Sequence, residues 1–271
     1  MEYGEWHRLI YYYLCIYSDS GDGVLFEIKI DNAKYWKDCV NAIVSLVDEG
    51  LFNITKDGIS LKAMDPSSIS MISFNMPNKS FSKFNVDKPV SIGLNIDNLD
   101  KMLSRTREGE SLIMKDSENK LLLEFIGPNG RRKYRIQLID VKKSVEKEPN
   151  VDFDSHVTIN GEPLKDIIKD ASMLSSYISF NASKGLFSAR ARGDSGELEE
   201  FHENDSGILK KLESKKEAES TFNLEFLENM IKACPPGNDI DISLKSNEPM
   251  KLWYNIGDAQ VSYFLAPYME E

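Results

Sequence analysis

The residues that could carry chemistry are few and poorly placed for it. His7, His156 and His202 are scattered, and no Cys, Asp or Glu recurs near them at the spacing of a metal site or a catalytic triad. Cys15, Cys39 and Cys234 are far apart and odd in number, without a C-x-x-C. That pattern fits a reducing compartment and gives neither a disulfide framework nor a zinc site. No glycine-rich phosphate loop, zinc-protease helix or nucleophile elbow occurs. The acidic pairs Glu199-Glu200 and Asp239/Asp241 read as solvated charge. The chain therefore proposes no catalytic residue, no metal and no cofactor, and an enzyme with an unrecognised site stands only as the rival reading.

Cations offer a more specific pattern. Lys34 and Lys37, Lys101 and Arg105, and Lys165 and Lys169 are spaced i, i+3 or i, i+4, so on helices each pair shares one exposed stripe; Lys232 stands alone. Taken singly these are ordinary solubilising residues. Asp38, Asp100, Asp166, Asp170, Glu225 and Glu228 share the same segments, and the formal net charge is −11. A local positive lining can coexist with an acidic exterior.

These positions depend on elements that the hydrophobic pattern predicts. Phe26 to Ile30 alternates as a strand. After an Asp31-Asn32 cap, Trp36, Cys39/Val40, Ile43 and Leu46/Val47 recur at helical spacing, ending at Glu49-Gly50. Asp57-Gly58 reads as a hairpin turn. It is followed by Ile59, Leu61 and Ala63, a second turn at Asp65-Pro66-Ser67, and a strand through Phe74. Further strands are expected near Ser80 to Phe84, Val90 to Gly93, Ser111 to Lys115, Lys120 to Ile126 and Arg132 to Asp140. A helix from Asp97 buries Leu99 and Leu103.

The charged run 141 to 152 reads as a connector, and after it the pattern starts again. Leu99-Asp100-Lys101-Met102-Leu103 is answered by Leu227-Glu228-Asn229-Met230-Ile231, and the first helix by Gly161 to Leu174, at a separation of about 128 residues. That is too long for a solenoid and implies two similar domains, 24–140 and 153–271, in an α+β fold with helices on one sheet face. Residues 1–23 stand outside this pattern. Leu9 to Tyr17 is far shorter than the roughly 20 residues of a membrane span, and Glu2 and Glu5 do not suit a signal peptide. An extra N-terminal segment with a Ser18–Gly23 linker is the reading.

The stretch Leu61-Lys62-Ala63-Met64-Asp65-Pro66-Ser67-Ser68-Ile69-Ser70-Met71 resembles the strand-turn-strand signature of the proliferating cell nuclear antigen family of sliding DNA clamps, archaeal type. Tyr263-Phe264-Leu265-Ala266-Pro267 is similar to the family's C-terminal ending. The resemblance runs from Val24 to the C-terminus. It implies antiparallel sheets outside and helices lining a hole, closed as a six-domain ring of three chains around double-stranded DNA. Lys34, Lys37, Lys101, Arg105, Lys165, Lys169 and Lys232 would face that DNA. The edge strand carrying Tyr134, Ile136 and Leu138 would pair with one near Leu198 of the next chain. Met64, Ile69, Met71, Leu138, Pro249, Phe264, Ala266 and Pro267 would form a pocket for client peptides. Of these, Met64, Phe264 and Pro267 are expected exposed, and Ile69 and Leu138 partly core. The tail Tyr268 to Glu271 would flank basic peptides. The implied partners are a clamp loader, DNA polymerase, flap endonuclease and DNA ligase, with no membrane, and the implied place is the cytoplasm, at the nucleoid of an archaeon. A homotrimer is favoured, with one subunit of a heterotrimer as the alternative.

Overall fold

The computed structural model describes residues 25–141 and 147–269; the N-terminal segment and its linker lie outside them. The first half runs β1 (Phe26–Ile30), α1 (Ala33–Val44), β2 (Glu49–Thr55), β3 (Gly58–Met64), β4 (Ser70–Pro77), a 3-10 turn (Asn78–Ser80), β5 (Lys83–Val86), β6 (Val90–Asn95), α2 (Ile96–Leu103), β7 (Ser111–Ser117), β8 (Lys120–Gly127) and β9 (Gly130–Gln137). The second half repeats this order as β10 (Ser155–Asn160), α3 (Gly161–Ser172), β11 (Tyr177–Ser183), β12 (Leu186–Gly193), β13 (Gly196–Glu203), β14 (Leu209–Ser214), β15 (Ala218–Asn223), α4 (Leu224–Lys232), β16 (Asp239–Leu244), β17 (Met250–Ile256) and β18 (Ala259–Leu265).

All four helices start on an asparagine, at Asn32, Asn95, Asn160 and Asn223, whose side chain accepts a backbone N–H of the first turn. Asn32 and Asn160 stand 128 residues apart, as do Asn95 and Asn223. Each helix buries one apolar stripe: Leu99 and Leu103 in α2, and Leu227 and Ile231 in α4.

The strands form three antiparallel sheets, in the orders β5-β1-β7-β8-β9, β14-β10-β16-β17-β18-β4-β3-β2-β6 and β13-β12-β11-β15. The nine-stranded sheet belongs to both halves, joined where β18 pairs with β4. The five-stranded sheet lies wholly in the first half and the four-stranded sheet wholly in the second, and their Val, Ile, Leu and Phe side chains join those of the nine-stranded sheet in one buried core.

Several predicted boundaries shift. α1 stops at Val44, and Glu49-Gly50 open β2 instead of ending the helix. Leu46 and Val47 are buried in the connection, which explains their helical spacing without a helix. The Asp57-Gly58 hairpin turns on Lys56-Asp57, with Thr55 opposite Gly58. Gly58 has φ 148°, and a Cβ there would overlap the Met76 carbonyl oxygen. The strand expected at Ser80 to Phe84 is a 3-10 turn followed by β5. β9 ends at Gln137, because Ile139 turns away to donate its N–H to the Gly93 carbonyl.

Candidate functional site

α1 and α4 lie against one face of the nine-stranded sheet. The Tyr263 hydroxyl on β18 donates to the Ala42 carbonyl of α1 (2.8 Å), and the Tyr254 hydroxyl on β17 donates to the Met230 carbonyl of α4 (2.9 Å). The two hydroxyls lie 3.2 Å apart, so a buried tyrosine pair bridges helices from both halves at the joint. Burial pushes both phenols well above their ordinary pKa. α2 packs beside α1 and α3 beside α4.

The seven predicted helix cations separate into two kinds. Lys37, Lys101, Arg105, Lys169 and Lys232 have no carboxylate partner among the described residues, and all but the half-buried Lys37 are exposed. Lys34 is exposed but paired with Asp38 at 2.6 Å. Lys165 is half-buried, and its Nζ donates to Glu162 (3.1 Å) and to the Cys234 carbonyl (2.9 Å), tying α3 to the chain after α4. No sequence signal announces that tie, because Cys234 approaches only through the fold.

Sequence reasoning also missed Arg132. Its guanidinium reaches the buried Glu110 carboxylate at 2.5 Å and the Arg105 carbonyl at 3.1 Å, and lies 5.0 Å from the centre of the Phe125 ring. This braces the end of α2 against β9. Burial pushes the Glu110 carboxyl up, but the Arg132 and Arg107 donors and charges win and hold it below the ordinary range.

The sheet's opposite face carries an apolar row across the joint. Met64 lies opposite Met71, Met71 opposite Phe264, and Phe264 opposite Lys251. Met64 is 42% and Ile69 41% exposed, whereas Met71 and Phe264 are each 3% exposed. The exposure expected of Phe264 and the partial burial expected of Ile69 are therefore reversed. Phe264 has Met71 beside it and the Lys251 ammonium 5.3 Å from its ring centre. Ile69 is held outward by its loop, which wraps the buried Asp65 carboxylate. Ser67 and Ser70 donate their N–H groups to it at 2.8 and 2.5 Å, and their hydroxyls also donate to it. Burial raises the Asp65 pKa, but these donors prevail and lower it.

Ala266 donates its N–H to the Ile69 carbonyl (2.9 Å). Ala266, Pro267 and Pro249 are half-buried, so Pro267 is less exposed than expected. Leu138 is half-buried against the core, with its N–H on the Asn119 carbonyl; no register pair places it in the Met64 row. Glu148 sits over this face, where it accepts from Ser73 (2.8 Å) and faces Lys62 (3.6 Å) and Lys251 (3.7 Å).

Of the six end strands of the three sheets, β9 and β13 bear on assembly. β9 ends the five-strand sheet and β13 ends the four-strand sheet. In the duplicated order β9 corresponds to β18 and β13 to β4, the two strands that pair inside the chain. Tyr134 stands edge-on to Phe125 (5.8 Å), Ile136 is buried, and Leu198 is half-buried.

Among the described residues nothing comparable gathers for catalysis. His156 Nδ1 meets the Ser243 hydroxyl (2.9 Å), and His202 Nε2 meets Glu200 (3.2 Å), each alone. Burial pushes the Cys234 thiol up to about 11. Among the described residues no group of three His, Cys, Asp or Glu could hold a metal ion, and no helix is long and apolar enough to cross a membrane.

The models of the proliferating cell nuclear antigen N-terminal and C-terminal domains match residues 25–147 and 147–269. The chain is 36% identical to a DNA polymerase sliding clamp of Pyrococcus furiosus and 35% identical to one of Thermococcus gammatolerans; each match covers 91% of this chain and 99% of the relative. Proliferating cell nuclear antigen from Thermococcus kodakaraensis superposes with a TM-score of 0.85 at 25% identity, over 90% of this chain and 100% of that one. A. fulgidus PCNA, solved with the C-terminal region of FEN-1 bound, gives 0.83 at 24% identity, over 91% and 99%. With both halves matched in order along the repeated fold, the chain belongs to the proliferating cell nuclear antigen family.

Proposed function

We propose that this chain is a DNA polymerase sliding clamp that encircles duplex DNA as a ring of three chains and tethers replication and repair enzymes. One observation carries the reading: β18 and β4 already pair inside the chain, while their counterparts β9 and β13 are left as edges. Unlike edges that pair head to tail close into rings when the rotation allows. Residues 24–140 and 153–271 then act as the two ring domains of each chain and 141–152 as their connector.

In such a ring the helices face the hole. Lys37, Lys101, Arg105, Lys169 and Lys232 supply most of the positive field, with Lys34 and Lys165 partly spent on their own partners. Phosphate contacts carry no sequence information, so the field permits sliding. The neighbouring carboxylates keep direct affinity weak, and retention comes from closure. The ring performs no chemistry of its own and works in the cytoplasm, at the nucleoid.

Clients dock on the outer face. Met64 and Ile69 offer exposed apolar surface beside Ala266, Pro267 and Pro249, with Met71 and Phe264 as its floor. Flexible thioethers suit a surface that takes varied peptides. The FEN-1 C-terminal region bound to the A. fulgidus protein is a ligand of the kind proposed here. Held this way, polymerase, flap endonuclease and ligase act at a raised effective concentration.

The test is primer extension on a primed circle with the host's loader and polymerase. Wild type lengthens the products; Lys37, Lys101 and Lys169 together changed to Glu leave the ring's mass unchanged and cut stimulation about tenfold, through lost phosphate attraction. Stimulation unaffected by the triple change would overturn the lining assignment. Turnover of nucleic acid by the chain alone would favour the enzyme reading.

A further inference from the structure

Beside the apolar row on the outer sheet face runs a polar one. Lys62 stands two residues from Met64 on β3, Ser73 two from Met71 on β4, and Ser262 two from Phe264 on β18, so all share that face. In register, Lys62 lies opposite Ser73 and Ser73 opposite Ser262. Lys251 approaches from β17, where it lies opposite Phe264. Two short hydroxyl side chains thus stand between two long cationic ones.

A carboxylate of the same chain lies among them. Glu148 Oε1 accepts from the Ser73 hydroxyl (2.8 Å) and lies 3.6 Å from Lys62 Nζ, while Oε2 lies 3.7 Å from Lys251 Nζ. Lys251 Nζ is also 5.3 Å from the centre of the Phe264 ring, so one cation faces both the carboxylate and the buried aromatic of the apolar row. Burial pushes the Glu148 carboxyl up, but the Ser73 donor and the two ammonium charges outweigh it and hold it below the ordinary range. The group of donors therefore favours an anion. All three charged side chains keep contact with solvent, and ion pairs so exposed are weak enough to be exchanged.

We propose that Lys62, Ser73 and Lys251 form a carboxylate-binding subsite beside the client surface, and that Glu148 fills it until an acidic residue of a client peptide takes its place. This rests on the client-surface reading above and adds a chemical requirement on the client. Residues i and i+2 of a strand are about 7 Å apart, and an extended peptide advances about 3.3 Å per residue. The acidic residue therefore belongs within two positions of the apolar anchor that covers Met64 and Ile69.

The chain carries a formal net charge of −11, so its field as a whole opposes acidic peptides. A local pair of lysines next to the apolar row gives such a peptide one favourable place and one register. Glu148 sets the terms of entry. A neutral peptide covers Met64 and Ile69 without disturbing it. An acidic peptide exchanges one carboxylate for another, which changes the count of ion pairs by nothing. The preference for acid is thus masked in the intact chain and appears when Glu148 is removed.

The test scans a synthetic peptide of the FEN-1 C-terminal region, placing Glu or Gln at each position in turn, and reads binding by fluorescence anisotropy. The proteins are wild type, Glu148→Gln, the double variant Glu148→Gln/Lys251→Gln, and Ile69→Glu, with thermal melts to verify that each folds. On wild type, Glu and Gln peptides differ by less than about twofold near the anchor, as a near-even exchange requires. On Glu148→Gln, Glu is preferred about tenfold at one or two neighbouring positions, the scale of a charge-assisted contact. The added Lys251→Gln removes that preference, as expected of a direct pair. A Glu148→Gln chain that prefers Glu nowhere, or binds every peptide equally more weakly, would overturn the subsite, and so would a preference that survives Lys251→Gln. Peptides that bind no variant, or that bind Ile69→Glu as well as wild type, would overturn the client surface itself and the subsite with it.

Discussion

Asp65 explains how a short motif presents an exposed apolar residue. Its carboxylate is the centre of the β3–β4 loop, taking donors from Ser67 and Ser70 and leaving Ile69 outside. The conspicuous residues of the motif are thus scaffolding for the inconspicuous one. Asp65→Ala should cost about 1–3 kcal/mol through the orphaned loop donors, and should weaken binding of a client peptide more than it lowers the melting point. Titration calorimetry paired with thermal melts checks this. The folded Asp65 pKa is depressed, so its contribution is present above the ordinary aspartate range and fades as pH falls from roughly 4. Peptide affinity should therefore decline on acidification before the protein unfolds. Ile69 and Phe264 were illegible for a related reason. Alternation assigns each residue a face, but not what covers that face, and here a loop exposes one residue while cross-strand neighbours bury the other.

At the scale of elements, the two halves obey one plan: an asparagine cap, one apolar stripe and a strand hairpin after each short helix. The Leu99–Leu103 and Leu227–Ile231 correspondence was legible because helical periodicity survives divergence of the polar positions. The end of α1 was not, since Leu46 and Val47 stay buried past the last helical turn. The caps make a graded prediction. Asn223 holds two N–H groups, of Glu225 and Phe226, whereas Asn95 holds one. Asn223→Ala should cost about 1 kcal/mol and Asn95→Ala no more than that, both read from urea midpoints at unchanged slope. An equal and negligible effect at both sites would place the helix starts under tertiary control instead.

At the scale of the molecule, duplication is the organising fact. One joint, β18 to β4, is made inside the chain, while the corresponding strands β9 and β13 each end a sheet. In the ring proposed above, a weakly attractive inner surface would hold DNA by topology, which separates it from a protein that holds DNA by contact. The helix cations were legible as stripes; the Tyr254–Tyr263 bridge that holds α1 and α4 together across the halves was not, since no local pattern encodes it.

The measurement that tests this most directly is retention on circular DNA before and after a single cut. The protein is loaded onto a nicked circle, freed of unbound chains by gel filtration at physiological salt, and the circle is then opened with a restriction enzyme. The account predicts that the protein co-elutes with the closed circle and is lost from the linear product as it slides off the ends. Equal retention on both forms would mean that the chain grips DNA by contact, and the encircling ring would be wrong.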